Sequence, residues 1–143
     1  METIWKFRGL NSKKEWLYGD LIHNRGEVFI APIGIANPLA KAEDFVVDEN
    51  TVGLFSGLFD KNRKEIYDGD IIIKHNEFYI CKWSAMFACF VFIENSEYGE
   101  YNYLQECDEK EINLVGDIYN NDYMVKYNFS KDTHLNKKNL IMK

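Results

Sequence analysis

Residues 55–73 read "FSGLFDKNRKEIYDGDIII" and decide the fold that we expect for this chain. An apolar run comes first, the polar residues DKNRKE follow, and an aliphatic run begins shortly after Gly69. Polar residues between two apolar runs predict two strands joined by a turn. β-Branched and aromatic residues dominate both runs, and these residue types favour a pleated, half-buried surface. The stretch therefore predicts consecutive β-strands.

The Gly-Asp pair of this stretch recurs twice elsewhere in the chain. The three copies are YGDLI at 18–22, DGDII at 68–72 and VGDIY at 115–119. Glycine adopts backbone conformations that other residues avoid, and an adjacent aspartate can accept hydrogen bonds from turn amides where a strand starts. We therefore predict an architectural role at the starts of strands for Gly19, Asp20, Gly69, Asp70, Gly116 and Asp117.

An alternative interpretation makes the acidic side chains around the second copy a chemical site. Asp68 and Asp70, with Glu65 nearby, would form a carboxylate cluster for metal binding or acid–base catalysis. Such a site needs convergent partners. However, no His, Cys or acidic residue directly follows Asp70, and the next acidic residue is Glu77. We therefore expect no catalytic, metal-binding or cofactor-binding residue, and no cofactor.

The composition is that of a soluble globular protein. Of 143 residues, 46% are hydrophobic and 28% charged, which suits a single folded domain. Aromatic residues make up 15%, which favours an all-β fold with one or two short helices. We expect one domain over residues 1–125, either undivided or as two closely packed lobes of about 1–57 and 58–125. A basic, partly flexible tail follows at 126–143.

Apolar patterning places the strands within that domain. We predict strands at 4–10, 15–23, 28–33, 45–47, 51–59, 70–75, 77–83, 87–93 and 112–119, with a loop at 34–44 and a short helix late in the polar stretch 94–111.

The predicted strand 77–83 has two apolar faces. Tyr79, Cys81 and Trp83 point to one side, and Phe78 and Ile80 to the other. A single sheet cannot hide both faces, so either a second layer of the same chain or another subunit must cover them. The candidates for this packing between layers or subunits are Tyr79, Trp83, Phe90 and Phe92.

The net charge of −6 is unevenly distributed. From Lys126 onward the chain has five lysines and one aspartate, a balance of +4, which leaves the remainder at −10. An acidic body repels phosphate, so we do not expect nucleic acid as a partner. If a small barrel nevertheless bound nucleic acid by stacking, the available residues would be the aromatics Trp5, Trp16, Tyr98, Tyr101 and Tyr103 and the basic residues Arg8, Lys13, Lys14 and Arg25.

Patterns typical of other protein classes are missing from the sequence. Cys81, Cys89 and Cys107 have neither CxxC nor Cys-His spacing, so we expect reduced thiols. His23, His75 and His134 lack the spacing of ligand or catalytic pairs, so we do not expect an enzyme. The longest apolar stretch free of charge, SAMFACFVFI at 84–93, is about half a bilayer span. With no signal peptide visible after Met1, we expect a cytoplasmic protein that does not span a membrane.

Four segments together match a family pattern. They are FRGL with EWLYGDLI, then VDENTVGLFSGLFDKNRKEIYDGDIII, then FYICKW, and finally LVGDIYNNDYM. Over about residues 4–124 the chain resembles the YopX family of phage and prophage proteins. Two positions depart from the family pattern: Arg63 stands where the family has glycine, and Leu54 where it has glutamine. An arginine at positive φ costs on the order of 1 kcal/mol, unless the turn changes type.

The resemblance implies a β-rich fold of the YopX type, either a small SH3-like barrel or curled antiparallel sheets, with no established enzymatic activity. We therefore expect a non-catalytic phage or prophage accessory protein that acts by self-association and binding. A homo-oligomer is the expected assembly, and a host or phage protein is a further candidate partner. Two alternatives stay open: a small-barrel nucleic-acid-binding protein, and an acidic protein that binds and masks a host factor.

Overall fold

A computed structural model describes residues 5–35, 37–95, 101–103 and 107–125; for Leu39 and residues 101–103 it describes the backbone alone. The tail predicted at 126–143, with His134, lies outside the described residues, as does Tyr98.

The described chain is built from strands and short 3-10 helices. The strands are β1 (Phe7–Leu10), β2 (Trp16–Asn24), β3 (Glu27–Ala31), β4 (Val46–Val47), β5 (Gly53–Phe59), β6 (Glu65–Tyr67), β7 (Asp70–Lys74), β8 (Glu77–Ser84), β9 (Cys89–Glu94), β10 (Tyr101–Tyr103) and β11 (Ile112–Asp117). The 3-10 helices are Pro38–Asp44, Glu49–Thr51, Glu109–Glu111 and Asp122–Met124. The all-β prediction is confirmed, whereas strands β6 and β10 were not predicted.

The chain divides into two compact units, Met1–Phe55 and Ser56–Lys143, and β5 crosses from one to the other. In the first unit the strands follow the spatial order β4-β3-β2-β1, and β1 also pairs with the start of β5. The β2–β3 hairpin turns at Arg25 and Gly26, whose φ angles of 51° and 79° are those of a type I′ turn. The core of this sheet is formed by Val28, Ile30 and Val47.

The sheet of the first unit curls until the end of β1 meets the segment that follows β4. The N–H of Leu10 donates to Oγ1 of Thr51 at 2.8 Å, and the carbonyl of Leu10 accepts the N–H of Asp48 at 2.8 Å. Bonds at a single residue do not make a ladder. The described strands therefore form a curled antiparallel sheet and do not close into a barrel.

Gly19, in the first Gly-Asp copy, lies where β2 and β3 approach most closely. A Cβ atom built on Gly19 would lie 1.9 Å from the carbonyl oxygen of Ala31, and its φ is 150°. No side chain fits in that gap, so the close pairing of the two strands depends on glycine at this position.

The second unit contains a five-stranded antiparallel sheet in the order β10-β9-β8-β7-β11. A two-residue turn joins β7 to β8 at His75 and Asn76, whose φ angles are 50° and 66°. In β11 the register with β7 shifts between Leu114 and Gly116, directly before the third Gly-Asp copy. Such an irregularity bends a strand locally.

The chain itself covers both faces of this sheet. Of the two predicted alternatives, the cover is therefore a second layer of the same chain and not another subunit. One buried cluster comprises Ile66, Ile72, Tyr79, Cys81, Phe92 and Ile112. The other comprises Ile71, Ile80, Val91 and Ile93, with Phe78, Val115, Ile118, Met124 and Val125 among the residues packed against it. The two-faced pattern predicted for β8 is confirmed, and no second subunit is needed to bury Tyr79 or Phe92.

The two departures from the family pattern are both accommodated. Arg63 adopts a φ of 66°, the conformation that glycine would favour. Its guanidinium lies 4.5 Å from the ring centroid of Phe59 and 3.5 Å from a carboxylate oxygen of Glu109, and these contacts offset part of the backbone cost. Leu54 is half-buried and pairs across from Phe7.

Substitution of Gly19 should show how strongly the first unit depends on close strand approach. Gly19→Ala should lower the free energy of unfolding by about 2 to 4 kcal/mol, because the Cβ forces β2 and β3 apart. Gly26→Ala is the matched control: it also has positive φ, but no atom lies within 4 Å of its Cβ. It should cost about 1 kcal/mol. Urea denaturation of both variants measures the difference, and equal losses would contradict this account.

Candidate functional site

The three Gly-Asp copies do not share one environment, and the prediction that all of them start strands is wrong for two: only Gly69 and Asp70 stand at a strand start, whereas the first copy lies inside β2 and the third ends β11. Asp70 and Asp117 are buried cross-strand partners in β7 and β11, whereas Asp20 is exposed on β2. Asp70 accepts the N–H of Tyr67 at 2.7 Å. Asp117 accepts the N–H of Tyr119 at 2.9 Å. Each buried carboxylate therefore satisfies a turn amide at one end of its own strand, which is an architectural task.

The glycines of the second and third copies are both closely packed. Gly69 has a φ of 95°, and a Cβ built there would lie 2.9 Å from the ring of Tyr119. Gly116 lies against Asn121, whose side-chain oxygen would be 2.6 Å from an added Cβ. A larger residue at either position would have to displace its neighbour.

The carboxylates of the proposed cluster around Asp70 serve separate partners. Asp68 accepts the N–H of Trp83 at 2.7 Å, and Glu65 accepts the hydroxyl of Tyr67 at 2.9 Å. Over the described ranges, no group of three or more His, Cys, Asp or Glu side chains is placed to hold a metal ion.

Asp60 is a buried carboxylate that the sequence analysis missed. It is 1% exposed and organises the turn between β5 and β6. One oxygen accepts the N–H groups of Asn62 and Lys64 at 2.8 and 2.9 Å, and the other accepts the N–H of Leu114 at 3.0 Å. Asp at the first position of a polar turn is the local signal for such bonding. The long-range bond to β11 has no local signal.

The environment of Asp60 sets its protonation. Burial by itself raises the pKa of this carboxyl, but the hydrogen bonds from the N–H groups of Lys64, Leu114 and Asn62 and the charge of Lys64 outweigh burial and lower the pKa below the ordinary 3.8. The ionised carboxylate therefore stabilises the folded state.

Exposed apolar residues gather where β8 turns into β9. Trp83 is 44% exposed, Met86 60% and Phe87 39%, and Phe90 beside them is half-buried. We call these four residues the apolar hairpin tip. The rings of Trp83 and Phe90 meet edge to face, with centroids 5.4 Å apart and an angle of 77° between their planes. Of the four residues predicted to pack between layers or subunits, Tyr79 and Phe92 are in the core, and Trp83 and Phe90 form part of this surface.

The predicted reduced cysteines and the histidines have separate surroundings. Cys81 is buried, while Cys89 and Cys107 are half-buried, and all three are reduced cysteines outside any disulfide. The Nζ of Lys74 lies 3.6 Å from Sγ of Cys107. His75 lies 2.7 Å from the Glu111 carboxylate in an exposed pair, and His23 is exposed on β2.

The residues available for nucleic acid are only partly accessible. Arg8 is 4% exposed and lies over the ring of Trp16, 3.9 Å from its centroid. Lys13 and Lys14 line an open depression of about 530 Å³ in the first unit. Four carboxylates line the same depression: Glu15, Glu43, Asp44 and Asp48. Carboxylates beside the lysines oppose phosphate binding, and the mixed charges indicate no single ligand class. Trp5 and Arg25 are exposed, and the side chains of Tyr101 and Tyr103 lie outside the described part of the chain.

Membrane insertion through a helix finds no support in the described ranges. No helix there has both the length and the apolar character needed to cross a bilayer.

These features define an all-β protein whose buried aspartates serve the fold and which exposes three large apolar side chains on one hairpin. A family model described as YopX protein matches residues 6–126, so the chain belongs to the YopX family. Membership indicates a phage-type protein and assigns no activity to it. The search of curated proteins found no match.

The role of Asp60 predicts a pH-dependent effect of its replacement. Because folding lowers its pKa, the stabilisation by its ionised form is complete above the unfolded value of 3.8 and is lost as the pH falls through the lower folded value. Asp60→Asn should therefore cost about 2 kcal/mol at pH 7 and less at pH 3, because pH 3 lies below the unfolded pKa and part of the stabilisation by the ionised carboxylate is already lost there. Urea denaturation at both pH values, with the exposed Asp122→Asn as control, measures this. A loss that is independent of pH would contradict it.

Proposed function

We propose that this protein is a non-catalytic phage or prophage accessory protein of the host cytoplasm that acts by self-association and binding. Two copies would join through the apolar hairpin tip. The observation that carries this proposal is the exposure of Trp83, Met86 and Phe87 on one hairpin. The two apolar clusters on the faces of the same sheet are, by contrast, buried by residues of the chain itself.

The composition of the hairpin suits a contact surface. Trp and Met are enriched in protein interfaces, and an aromatic pair in the centre of such a surface supplies much of the binding energy. The tip has both, because Trp83 and Phe90 already contact each other and Met86 offers an adaptable thioether beside them. Exposed apolar residues gathered in this way are the ordinary mark of a protein contact site.

The absence of charge at the hairpin tip permits a second copy as the occupant. The chain without its tail has a net charge of −10, so two copies repel each other across most of their surfaces. Residues 83–93 contain no charged side chain at all. In a symmetric dimer, each patch packs against the same patch of the other copy. Neutral apolar groups tolerate this arrangement, whereas like charges would repel each other. The hairpin tip is therefore a surface on which two acidic copies can meet with little repulsion.

The two alternative functions receive less support. Nucleic-acid binding needs a basic groove beside aromatic residues, whereas Arg8 is buried and Lys13 and Lys14 lie among carboxylates. Masking of a host factor remains compatible with the acidic body, but no particular described surface favours it.

Replacement of Trp83 tests the proposal. Trp83→Ala should weaken self-association about tenfold or more, as is usual for a central interface tryptophan. Trp5→Ala is the matched control, because Trp5 is even more exposed and belongs to the other unit, and it should leave association unchanged. Sedimentation velocity over a concentration series measures both variants, with circular dichroism to confirm the fold.

The salt dependence adds a second criterion. High salt screens the repulsion between acidic copies and should strengthen the dimer, whereas it would weaken binding to nucleic acid. A wild-type protein that stays monomeric at every concentration and salt level would refute self-association.

A further inference from the structure

The turn at residues 68–70, DGD, binds one edge of β8 where the hydrogen-bond ladder between β7 and β8 ends. That ladder ends at Ile80. Beyond it, the N–H of Gly69 donates to the carbonyl of Cys81 at 2.7 Å, and the N–H of Trp83 donates to Oδ1 of Asp68 at 2.7 Å. The turn thus continues the hydrogen bonding that a strand would supply, and its last bond is made by a side chain.

An ion pair between the buried Lys82 and the half-buried Asp68 holds that side chain. The second carboxylate oxygen of Asp68 lies 3.4 Å from Nζ of Lys82, and the two side chains are 13% and 3% exposed. A buried ammonium that loses its counter-charge is strongly disfavoured, so this pair resists separation. Lys82 therefore restricts the carboxylate of Asp68, and Asp68 in turn holds the backbone of the next residue along β8.

That next residue is Trp83, the first residue of the apolar hairpin tip. Its indole packs against Phe90, and its outer part is exposed. A strand end next to a hairpin turn frays when its amides lack partners. The bond to Asp68 opposes fraying at the residue whose side chain the proposed contact uses.

We propose that Asp68 is a positioning residue of the apolar hairpin tip: its carboxylate fixes the backbone of Trp83, so that the indole is presented to a second copy in one orientation. This inference rests on the proposed self-association. Pre-organising a contact residue strengthens binding because less freedom is lost when the complex forms. The charged pair of Asp68 and Lys82 is thus turned away from solvent, and residues 83–93, which include the surface offered to the partner, carry no charge.

Two double variants isolate the bond to Trp83. Asp68→Asn with Lys82→Met removes the ion pair and keeps an oxygen that can accept the Trp83 N–H. Asp68→Ala with Lys82→Met removes the ion pair and the acceptor. Neither leaves a buried lysine without its counter-charge, and the two differ in the side-chain amide at position 68 that carries the acceptor for the Trp83 N–H.

Fluorine NMR of protein labelled with 5-fluorotryptophan reports on each of the three tryptophans, and a Trp83→Phe variant assigns the Trp83 signal. We expect the Ala-containing variant to shift or broaden the Trp83 signal alone and to weaken self-association about tenfold relative to the Asn-containing variant. The Asn-containing variant should match the wild type in both measurements. Identical Trp83 signals and identical association in the two variants would overturn the inference.

Other outcomes are also decisive. If the Ala-containing variant alone moves all three signals, the bond supports the whole fold and the positioning role is wrong. If neither variant folds, hydrogen exchange of the wild type decides: the Trp83 amide should exchange more slowly than the Met86 amide, and equal rates would overturn the inference. If the wild type proves monomeric, the proposed function fails, whereas the fluorine and exchange measurements still decide whether Asp68 positions Trp83.

Discussion

The second unit depends on one constraint: strand β8 is apolar on both faces, so its sheet must be covered twice. Leu58 and Ile66, which precede the sheet in the chain, pack on one side of it. Ile118 and Met124, which follow the sheet, pack on the other side. The two covers come from opposite ends of the unit, so the sheet is complete only when both flanking segments are in place. The family match over residues 6–126 spans the sheet and both covers.

In the same unit, buried aspartates accept hydrogen bonds from backbone amides that have no neighbouring strand to supply an acceptor. Asp60, Asp70 and Asp117 each accept at least one N–H at the edge or end of a strand. A buried amide without an acceptor costs as much as a lost hydrogen bond, and an ionised carboxylate is a strong acceptor. Of the acidic residues that look like a catalytic cluster in the sequence, Asp68 and Asp70 accept backbone amides, and Glu65 accepts a tyrosine hydroxyl.

The sequence predicts the parts of this molecule that depend on local pattern. Most strands follow from apolar periodicity. At Arg63 the sequence leaves open a positive φ or a changed turn type, and the structure has the positive φ. The bond from Asp60 to β11 depends on a partner that is distant in sequence, so no local pattern shows it. Periodicity places Tyr79 and Trp83 on one face, yet only Tyr79 is buried. Trp83 is exposed because the residues that cover this face of the sheet do not extend over it. Periodicity along one strand does not show how far such a cover extends.

The bonds around β11 bear on how copies of the protein can come together. Two outward-facing backbone groups of this edge strand are already occupied: the carbonyl of Ile112 accepts the N–H of Lys61, and the N–H of Leu114 donates to Asp60. A strand from another molecule cannot use those groups, and unoccupied edges are what template open-ended sheet growth. The turn before β6 thus protects this side of the sheet from fibrillar aggregation, and limits association there to contacts between side chains.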